Sequence, residues 1–437
     1  GFEPGELITL SGPTKHGKCH GVGTKIMMYD GTIKNVEDIL PGDNLMGEDS
    51  KRKKVLSIYK GFGSLYEVHQ NKRENYTVNE DHILSLKRTG TGKWRTDNNQ
   101  KQKRPRKNNK GKIANISVKE YLTKSKTFKF THKGYAVPVH FDYKRIFIDP
   151  YFLGLWLGDG TSSNISITTK DKTISDFLYP IAEAYGLKVR VTEQLNNKSK
   201  VFSISGTKGK RNPIMKVFRQ YNLINNKHIP NDFKINTASI RLELLAGLID
   251  TDGTNNYGNR NGRKSGIEII QKNKILAEDI VFLARTLGFR ANVKECLKSI
   301  KSRNFTGIYY RIFIDGDTAI IPCKLKRLSQ QKPKRNPLTT GIKVKYIGEG
   351  NYYGYELSGN GLYCLHDCTV THNTSIFQML TSGFERNNIF SLWFAYEVPP
   401  EQLIRRFNNL PLFYFPAIIK GRILEYIEKK IKEAVMQ

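Results

Sequence analysis

The sequence predicts a multi-domain protein in which an all-β region and an α+β region with two similar halves are set inside an interrupted α/β segment. Three observations carry this expectation. Gly12-Pro13-Thr14-Lys15-His16-Gly17-Lys18 is a phosphate-binding loop that stops short, and its missing Thr-Ser occurs at Thr374-Ser375. Residues 22 to 86 alternate polar and apolar positions between turns such as Tyr29-Asp30-Gly31-Thr32 and Pro41-Gly42-Asp43, the pattern of half-buried strands. Residues 153 to 293 contain an internal repeat, which implies pseudo-two-fold symmetry. At 437 residues the chain suffices for two to four domains, each with its own core.

The outer segment comes first. Glu6-Leu7-Ile8-Thr9-Leu10 reads as a short strand entering the glycine-containing loop. Joining Lys18 to Thr374 restores G-x-x-x-x-G-K-T-S. In that pattern backbone N–H groups cradle phosphates, the lysine reaches the β/γ-phosphates and the threonine hydroxyl binds Mg²⁺. Gly12, Gly17, Lys18, Thr374 and Ser375 would therefore form a nucleotide site only after joining. Beyond Thr374, residues 375–380 are helical in pattern and the apolar run 389–396 suits a buried parallel strand. Pro400 to Phe407 begins another helix, and residues 420–435 form a basic amphipathic one. Residues 1–18 and 374–437 thus read as two parts of one domain, incomplete at its C-terminal end.

Charge comes next. A formal net charge of +31 exceeds what solubility needs and points to a polyanionic partner, foremost nucleic acid. No apolar run approaches the roughly 20 residues that span a bilayer, and no signal peptide is visible. Cys19, Cys296, Cys323, Cys364 and Cys368 are odd in number and scattered, which argues against a disulfide framework and for a reducing cytoplasm. Residues 87–113, with Lys101-Gln102-Lys103-Arg104-Pro105-Arg106-Lys107, carry almost nothing to bury and read either as a solvated linker or as a DNA-contacting arm.

The ends of the insertion carry chemistry. Cys19 follows Lys18, and His372-Asn373 precedes Thr374. The Cys19 thiol can attack the Lys18 carbonyl to give a thioester, which the Thr374 hydroxyl can accept. Asn373 can then cyclise onto its own carbonyl with His372 as proton donor or polarising group, and an O-to-N shift restores a peptide bond. A lone Cys or His-Asn pair is structural in most proteins; their joint position at the ends of a split loop decides otherwise. Cys19 together with Val370-Thr371-His372-Asn373-Thr374 resembles the splicing junctions of inteins, over residues 19–373, 355 of the chain. The resemblance implies a Hint-type β fold, no cofactor for splicing, and an internal T-x-x-H motif whose His acts at the first junction. Asn79-Glu80-Asp81-His82 occupies that place, with Asn79 where Thr is usual. Tyr353 to Tyr363 resembles the last internal motif but has Glu356 for the usual Asp and Gly361 for the usual His, so His372 is expected to carry more of the cyclisation. An alternative role remains nearby: along one continuous strand Cys364, His366, Cys368 and His372 would share a face and suit structural zinc, which would tie up His372.

The repeat carries the second site. Ile165 to Lys172, a helix, then Tyr185 to Val191 is echoed by Ile267 to Lys274, a helix, then Leu287 to Val293. Each copy follows a Gly-rich apolar helix ending in Asp-Gly: Leu153-Gly154-Leu155-Trp156-Leu157-Gly158-Asp159-Gly160 and Leu245-Ala246-Gly247-Leu248-Ile249-Asp250-Thr251-Asp252-Gly253. These resemble the paired motifs of LAGLIDADG homing endonucleases over roughly residues 146–335. Small faces let the helices pack closely, so Asp159 and Asp252 should meet and hold Mg²⁺ against the scissile phosphates. Asp250, two positions earlier, faces away and is left out. The resemblance also implies a lysine near each site. Lys227, in Lys227-His228-Ile229-Pro230, is the candidate for one half and Lys332 the weaker one for the other. Two buried helix ends with capping aspartates are the plain structural alternative.

The joined flanks, including Trp393-Phe394-Ala395-Tyr396-Glu397, resemble the RecA-like core of DnaB-type helicases, with Glu397 placed to orient the attacking water. A KaiC-like or recombinase ATPase is the alternative host. The expected organisation is a first flank 1–18, a splicing domain 19–145 resumed at 336–373, an endonuclease domain 146–335 and a second flank 374–437. Together these imply a self-splicing precursor in the cytoplasm. Its excised element would be a monomeric Mg²⁺-dependent nuclease for double-stranded DNA, and its ligated product an ATP- and Mg²⁺-binding segment of a hexamer-forming host. The opposing expectation is a site-specific nuclease fused to a splicing-inactive β-domain.

Overall fold

The computed structural model describes residues 19–89, 110–193, 199–206, 212–255, 266–300, 305–325 and 336–372, and two short strands at Leu392–Ala395 and Phe413–Pro416. The phosphate loop through Lys18, most of the basic arm, Lys332, Asn373, Thr374, Ser375 and Glu397 lie outside the described residues. Leu392–Ala395 and Phe413–Pro416 pair in parallel, in register Leu392 with Phe413. That is the sheet type expected of the second flank.

The region read as all-β is built on one long ribbon. Arg52–Gln70 pairs antiparallel with Ile342–Leu357 along nearly its whole length, from Val55 opposite Leu357 to Gln70 opposite Ile342, with bulges at Tyr346/Gly348 and Glu356/Leu357. Its ends are apolar and buried, while its middle exposes Ile58, Phe62 and Tyr346. Strand His20–Gly21 lies between Ile342–Leu357 and Tyr76–Asn79, and Asn44–Met46 extends the far edge of the same sheet. A second sheet orders Thr339–Thr340, His132–Tyr135, Ile83–Arg88, Val370–His372 and Leu362–Cys364, with Ile113–Ser117 also on Ile83–Arg88. Lys87 lies opposite Ile113, so both ends of the basic arm are strand-paired.

Local chemistry sets the turns. Pro41 and Gly42 form the centre of a reversal closed by Asp43 N–H to the Leu40 carbonyl, and the φ of +95° at Gly42 requires glycine. The cores hold Ile26, Leu45, Val55, Tyr355 and Tyr363 on one side, and Val68, Val78, Leu84, Ile116 and Tyr121 on the other.

The α/β unit is organised around helices Pro150–Asp159 and Ala238–Asp252. Asp149 caps the first by accepting the Phe152 N–H, Pro150 opens it, and Gly160 follows it. Its residues Pro150 through Leu157 are all buried, which explains why it is apolar on every side. A Cβ on Gly154 would stand 2.2 Å from the Leu244 carbonyl oxygen, and one on Gly247 would stand 2.2 Å from that of Tyr151. The two helices are therefore in backbone contact. Each feeds a sheet: Ser166–Thr169, Lys200–Ser205 and Lys188–Glu193 in one half, and Gly253–Asn255, Ile267–Gln271, Phe305–Asp315 and Arg290–Ile300 in the other. Helices Lys172–Ala184 and Lys274–Thr286 occupy matching places, as the repeat required.

Polar struts join the α/β unit to the β unit. Arg285 Nη1 donates to Glu74 Oε1 at 2.6 Å, and Glu74 Oε2 lies 2.7 Å from His366 Nε2. His366 and then Arg285 hold the Glu74 carboxyl well below the usual carboxylate range despite burial. Buried Arg241 donates to the Val139 carbonyl and to Thr286 Oγ1. No helix among the described residues is long and apolar enough to cross a membrane.

Gly247→Ala is expected to destabilise the α/β unit by about 1–3 kcal/mol through overpacking. Calorimetry should show its unfolding transition at lower temperature with the β-unit transition unmoved. An unshifted transition would mean the helices tolerate a methyl group between them.

Candidate functional sites

At the first site the Cys19 N–H donates to Asn79 Oδ1 at 3.0 Å, and the Asn79 N–H donates to the Cys19 carbonyl at 3.1 Å. The nitrogen of Cys19 is that of the Lys18–Cys19 peptide bond, so Asn79 grips the amide expected to break. Asn does this with its amide oxygen, where the family motif has a threonine hydroxyl. The Cys19 side chain is fully buried. Burial, reinforced by the charge of Asp81, pushes its thiol up to about 12, so it stays protonated at neutral pH.

The turn from Asn79 to His82 closes through the His82 N–H to the Asn79 carbonyl. His82 is fully buried, and its Nε2 lies 2.8 Å from Thr371 Oγ1. His20 packs edge-on against it at 4.5 Å between ring centroids, and burial holds His20 down at about 3, hence neutral. His372 lies opposite both Leu362 and Ile83. The dipeptides His82-Ile83 and Thr371-His372 are therefore neighbours on adjacent strands. The expected residues of the two junctions come together as far as His372; Asn373 and Thr374 are outside the described residues.

Two features of the last motif differ from the family's, and the fold accounts for both. Glu356 accepts from Ser57 Oγ at 3.1 Å and from Tyr59 OH at 3.4 Å, so it is seated on the ribbon. Gly361 takes a φ of +71° at the entry to Leu362–Cys364, a conformation that a histidine would strain.

The shared-face zinc arrangement is overturned. Leu362–Cys364 and Val370–His372 are two strands of a hairpin, and the chain reverses between them with Cys368 at φ +65°. The reversal sends His366 to Glu74, while Cys364 and Cys368 are buried. Among the described residues no three His, Cys, Asp or Glu side chains converge as a metal cluster, and all five cysteines are free thiols.

At the second site Asp159 and Asp252 end the two packed helices. A Cβ on Gly158 would clash with the Thr251 side chain, 2.7 Å from its Cβ, and would stand 3.3 Å from Asp252 Oδ2, so the first helix meets the turn bearing Asp252 through a glycine. Burial and then the charge of Asp159 push the Asp252 carboxyl up to about 6, against a hydrogen bond from Gln271 Nε2. A carboxyl raised by a neighbouring carboxylate is relieved by a cation, and Mg²⁺ commonly takes one or two carboxylates with water and phosphate oxygens. Asp159 and Asp252 fit that ion.

Lys227 is in the site but is engaged differently from expectation. Its Nζ donates to the carbonyls of Leu157, Gly158 and Gly160 at 3.0, 3.1 and 2.8 Å, and it lies over the Trp156 ring. Burial pushes it down to about 8 although Asp252 and Asp159 oppose this. It therefore caps the carbonyl end of the first helix and fixes the turn bearing Asp159. Asp250 is buried and accepts from Tyr151 OH and from the Lys324 and Leu325 N–H groups, so its carboxylate is engaged in the packing of the unit. Gln271 escaped the sequence reading. The repeat contained the signal, because Gln271 stands where Thr169 does in the first copy.

Comparisons with known proteins match two separate stretches of the chain. Residues 19–152 match the Hom_end-associated Hint family, and residues 239–320 match the LAGLIDADG-like domain family. The chain is 25% identical over 272 residues to the replicative DNA helicase DnaB of Mycobacterium intracellulare, covering 60% of the chain and 42% of that protein. It is also 25% identical over 252 residues to the homothallic switching endonuclease of Saccharomyces cerevisiae, covering 49% of the chain and 42% of that protein. It thus spans less than half the length of each relative. Among solved structures, the homing endonuclease I-DmoI in complex with DNA and Ca aligns with TM-score 0.28 and 17% identity, covering 38% of this chain and 82% of that one.

The Asp252 shift fixes a sign. Its folded value lies above the ordinary 3.8, so the stability it contributes is present below that value and is lost as pH rises through about 6. Asp252→Asn is expected to flatten this window and to raise the melting temperature at neutral pH. Mg²⁺ at neutral pH should stabilise the parent and leave the variant unmoved. Parallel melting curves for the two proteins across the window would show that the acidic pair does not interact.

Proposed function

We propose that this chain, which pairs a Hom_end-associated Hint domain with a LAGLIDADG-like domain, is a self-splicing precursor that excises residues 19–373 and joins Lys18 to Thr374. The observation that carries the reading is the meeting of the two junction motifs: Asn79 on the Cys19 amide, and His82 on Thr371 beside His372.

In the first step Cys19 Sγ bonds to the Lys18 carbonyl carbon as the C–N bond breaks. The thiol proton leaves and the Cys19 nitrogen gains one. A thiol held near 12 needs a proton relay rather than a standing thiolate, and His82, in the turn that starts at Asn79 and packed against the ring of His20, is the buried imidazole suited to pass the proton. Thr374 Oγ1 then displaces the thiol. Asn373 cyclises, the bond to Thr374 breaks, and His372 supplies the proton to the departing amine. An acyl shift from oxygen to nitrogen completes the ligation.

The excised element carries the second activity, cleavage of double-stranded DNA. Asp159 and Asp252 would hold Mg²⁺, which supplies Lewis acidity at the scissile phosphates. Gln271 orients Asp252, and Lys227 fixes the turn bearing Asp159. The lysines one residue beyond Thr169 and Gln271, Lys170 and Lys272, are exposed at equivalent repeat positions and face the polyanion with the chain's +31 charge. The joined flanks would then complete a site for ATP and Mg²⁺ at Gly12, Gly17, Lys18, Thr374 and Ser375, with Glu397 to orient water, in a cytoplasmic DnaB-type host.

Expression of the chain is expected to yield the excised 355-residue element and the ligated flanks. Cys19→Ala together with Asn373→Ala should leave only precursor. Intact precursor from the parent chain would instead favour a nuclease fused to an inert β-domain. Asn79→Ala is expected to slow thiol-induced cleavage at Cys19 by about tenfold, the scale of losing one positioned hydrogen bond, while Asn79→Thr retains most of the rate. For the nuclease, Mg²⁺-dependent cutting of DNA encoding the joined Lys18–Thr374 site should disappear in Asp252→Asn; persistence of cutting would remove Asp252 from the metal site.

A further inference from the structure

We infer that Thr371 is a positioning residue for His82, and that through it the C-terminal strand sets the proton-transfer competence of the N-terminal junction. The inference rests on the splicing reading above and adds a residue to which no part of the first-junction chemistry has been assigned.

Three observations carry it. Thr371 Oγ1 and His82 Nε2 are 2.8 Å apart, both residues are buried to within 1% of full enclosure, and they lie 289 positions apart in the sequence. The bond therefore joins the two ends of the element and is shielded from water that could replace it. On its open flank His82 meets His20, whose ring stands at 60° to it and is itself enclosed against Tyr76 and Tyr363. The imidazole is thus clamped by packing on one side and by one hydroxyl on the other. Finally, Asn79 Oδ1 already takes the Cys19 N–H. Holding the amide and orienting the proton carrier are consequently separate tasks in this chain.

A hydroxyl is suited to the second task because it both donates and accepts. It can donate to Nε2 when that nitrogen is bare, and accept from Nε2–H when the ring carries two protons. Thr371 can accordingly accompany His82 through a full proton cycle without moving. In the acyl shift, the thiol of Cys19 loses its proton, the Lys18–Cys19 C–N bond breaks, and the new amine nitrogen gains a proton. His82 returns to its starting state, and nothing is consumed. A valine in place of Thr371 would suit the strand but leave Nε2 without this partner and disfavour the doubly protonated ring.

The test separates the two junctions. In the full chain carrying Asn373→Ala, which isolates the first junction, Thr371→Val is expected to slow dithiothreitol-induced cleavage after Lys18 by about tenfold, at the low end of what a positioned acid–base group supplies. The limb of its pH–rate profile that reports His82 should move to lower pH, because the imidazolium has lost an acceptor. Thr371→Ser should restore both the rate and the profile. In the full chain carrying Cys19→Ala, which isolates Asn373 cyclisation, Thr371→Val should leave C-terminal cleavage within about twofold of its background, a difference of less than 0.5 kcal/mol.

An unchanged rate and profile for Thr371→Val would overturn the inference. So would a slower rate with an unmoved profile, or an equal loss at both junctions that Ser fails to rescue, since each marks a merely structural strand residue. If the Asn373→Ala parent gives no thiol-induced cleavage, the splicing reading fails first and takes this inference with it.

Discussion

The pairing of Arg52–Gln70 with Ile342–Leu357 is the constraint on which the proposed splicing site depends. Strand pairs so distant in sequence close a large loop, but the entropic cost of closure grows only as the logarithm of loop length. A folded α/β unit between them reduces that cost further by bringing its own ends near one another. Once the ribbon forms, His20 falls opposite Tyr353 on one side and Val78 on the other. That placement seats Cys19 against Asn79. The same register carries the chain from Leu357 into the hairpin that returns Thr371 and His372 to the strand after His82. A slip of one residue would reverse every side chain across the sheet, and the two junctions would no longer face the same interior.

The second site follows the same logic with helices. Gly154 and Gly247 permit backbone contact, and contact fixes how closely Asp159 and Asp252 approach. Closeness has an electrostatic consequence, because burial and then the charge of Asp159 raise the Asp252 carboxyl. Lys227 does not offset the acids as a freely placed charge. Its three carbonyl partners spend its hydrogen bonds on the end of the first helix, so its effect on the acids is exerted through the geometry of the turn. The struts from Arg241 and Arg285 then lean this unit on the splicing hairpin, since Glu74 bridges Arg285 to His366 in the very turn that leads to His372.

Much of this was legible in the residues, and what was missed shares one physical origin. The repeat announced two equivalent helices and sheets because burial imposes the same apolar spacing on both copies. Helical periodicity also separates Asp250 from Asp252, and its carboxylate accepts from Tyr151 OH. Beyond the meetings that the paired motifs implied, individual side-chain contacts between residues distant in sequence were not legible. Nothing local shows that Asn79 reaches Cys19, that Gln271 reaches Asp252, or that Thr371 reaches His82. The shared-face arrangement of Cys364, His366, Cys368 and His372 failed for a related reason: alternation holds only while a strand continues, and Cys368 adopts a turn conformation uncommon outside glycine and asparagine.

Burial of Cys19 gives the site its chemical character. With the thiol held up at about 12 by burial, the neutral thiol dominates at neutral pH. Such a cysteine is poorly reactive toward oxidants and electrophiles, whose attack requires thiolate. It is reactive toward its own peptide bond only where a proton can leave the sulfur and reach the nitrogen within one enclosed arrangement. Neutral His20, clamped His82 and the Thr371 hydroxyl form an enclosure in which the net charge does not change during that transfer, so the low dielectric that suppresses the thiolate does not oppose the shift to the same degree. A precursor built this way holds back the first acyl shift until both ends of the element have folded together, because the hydroxyl that steadies His82 arrives from the last strand before the second junction.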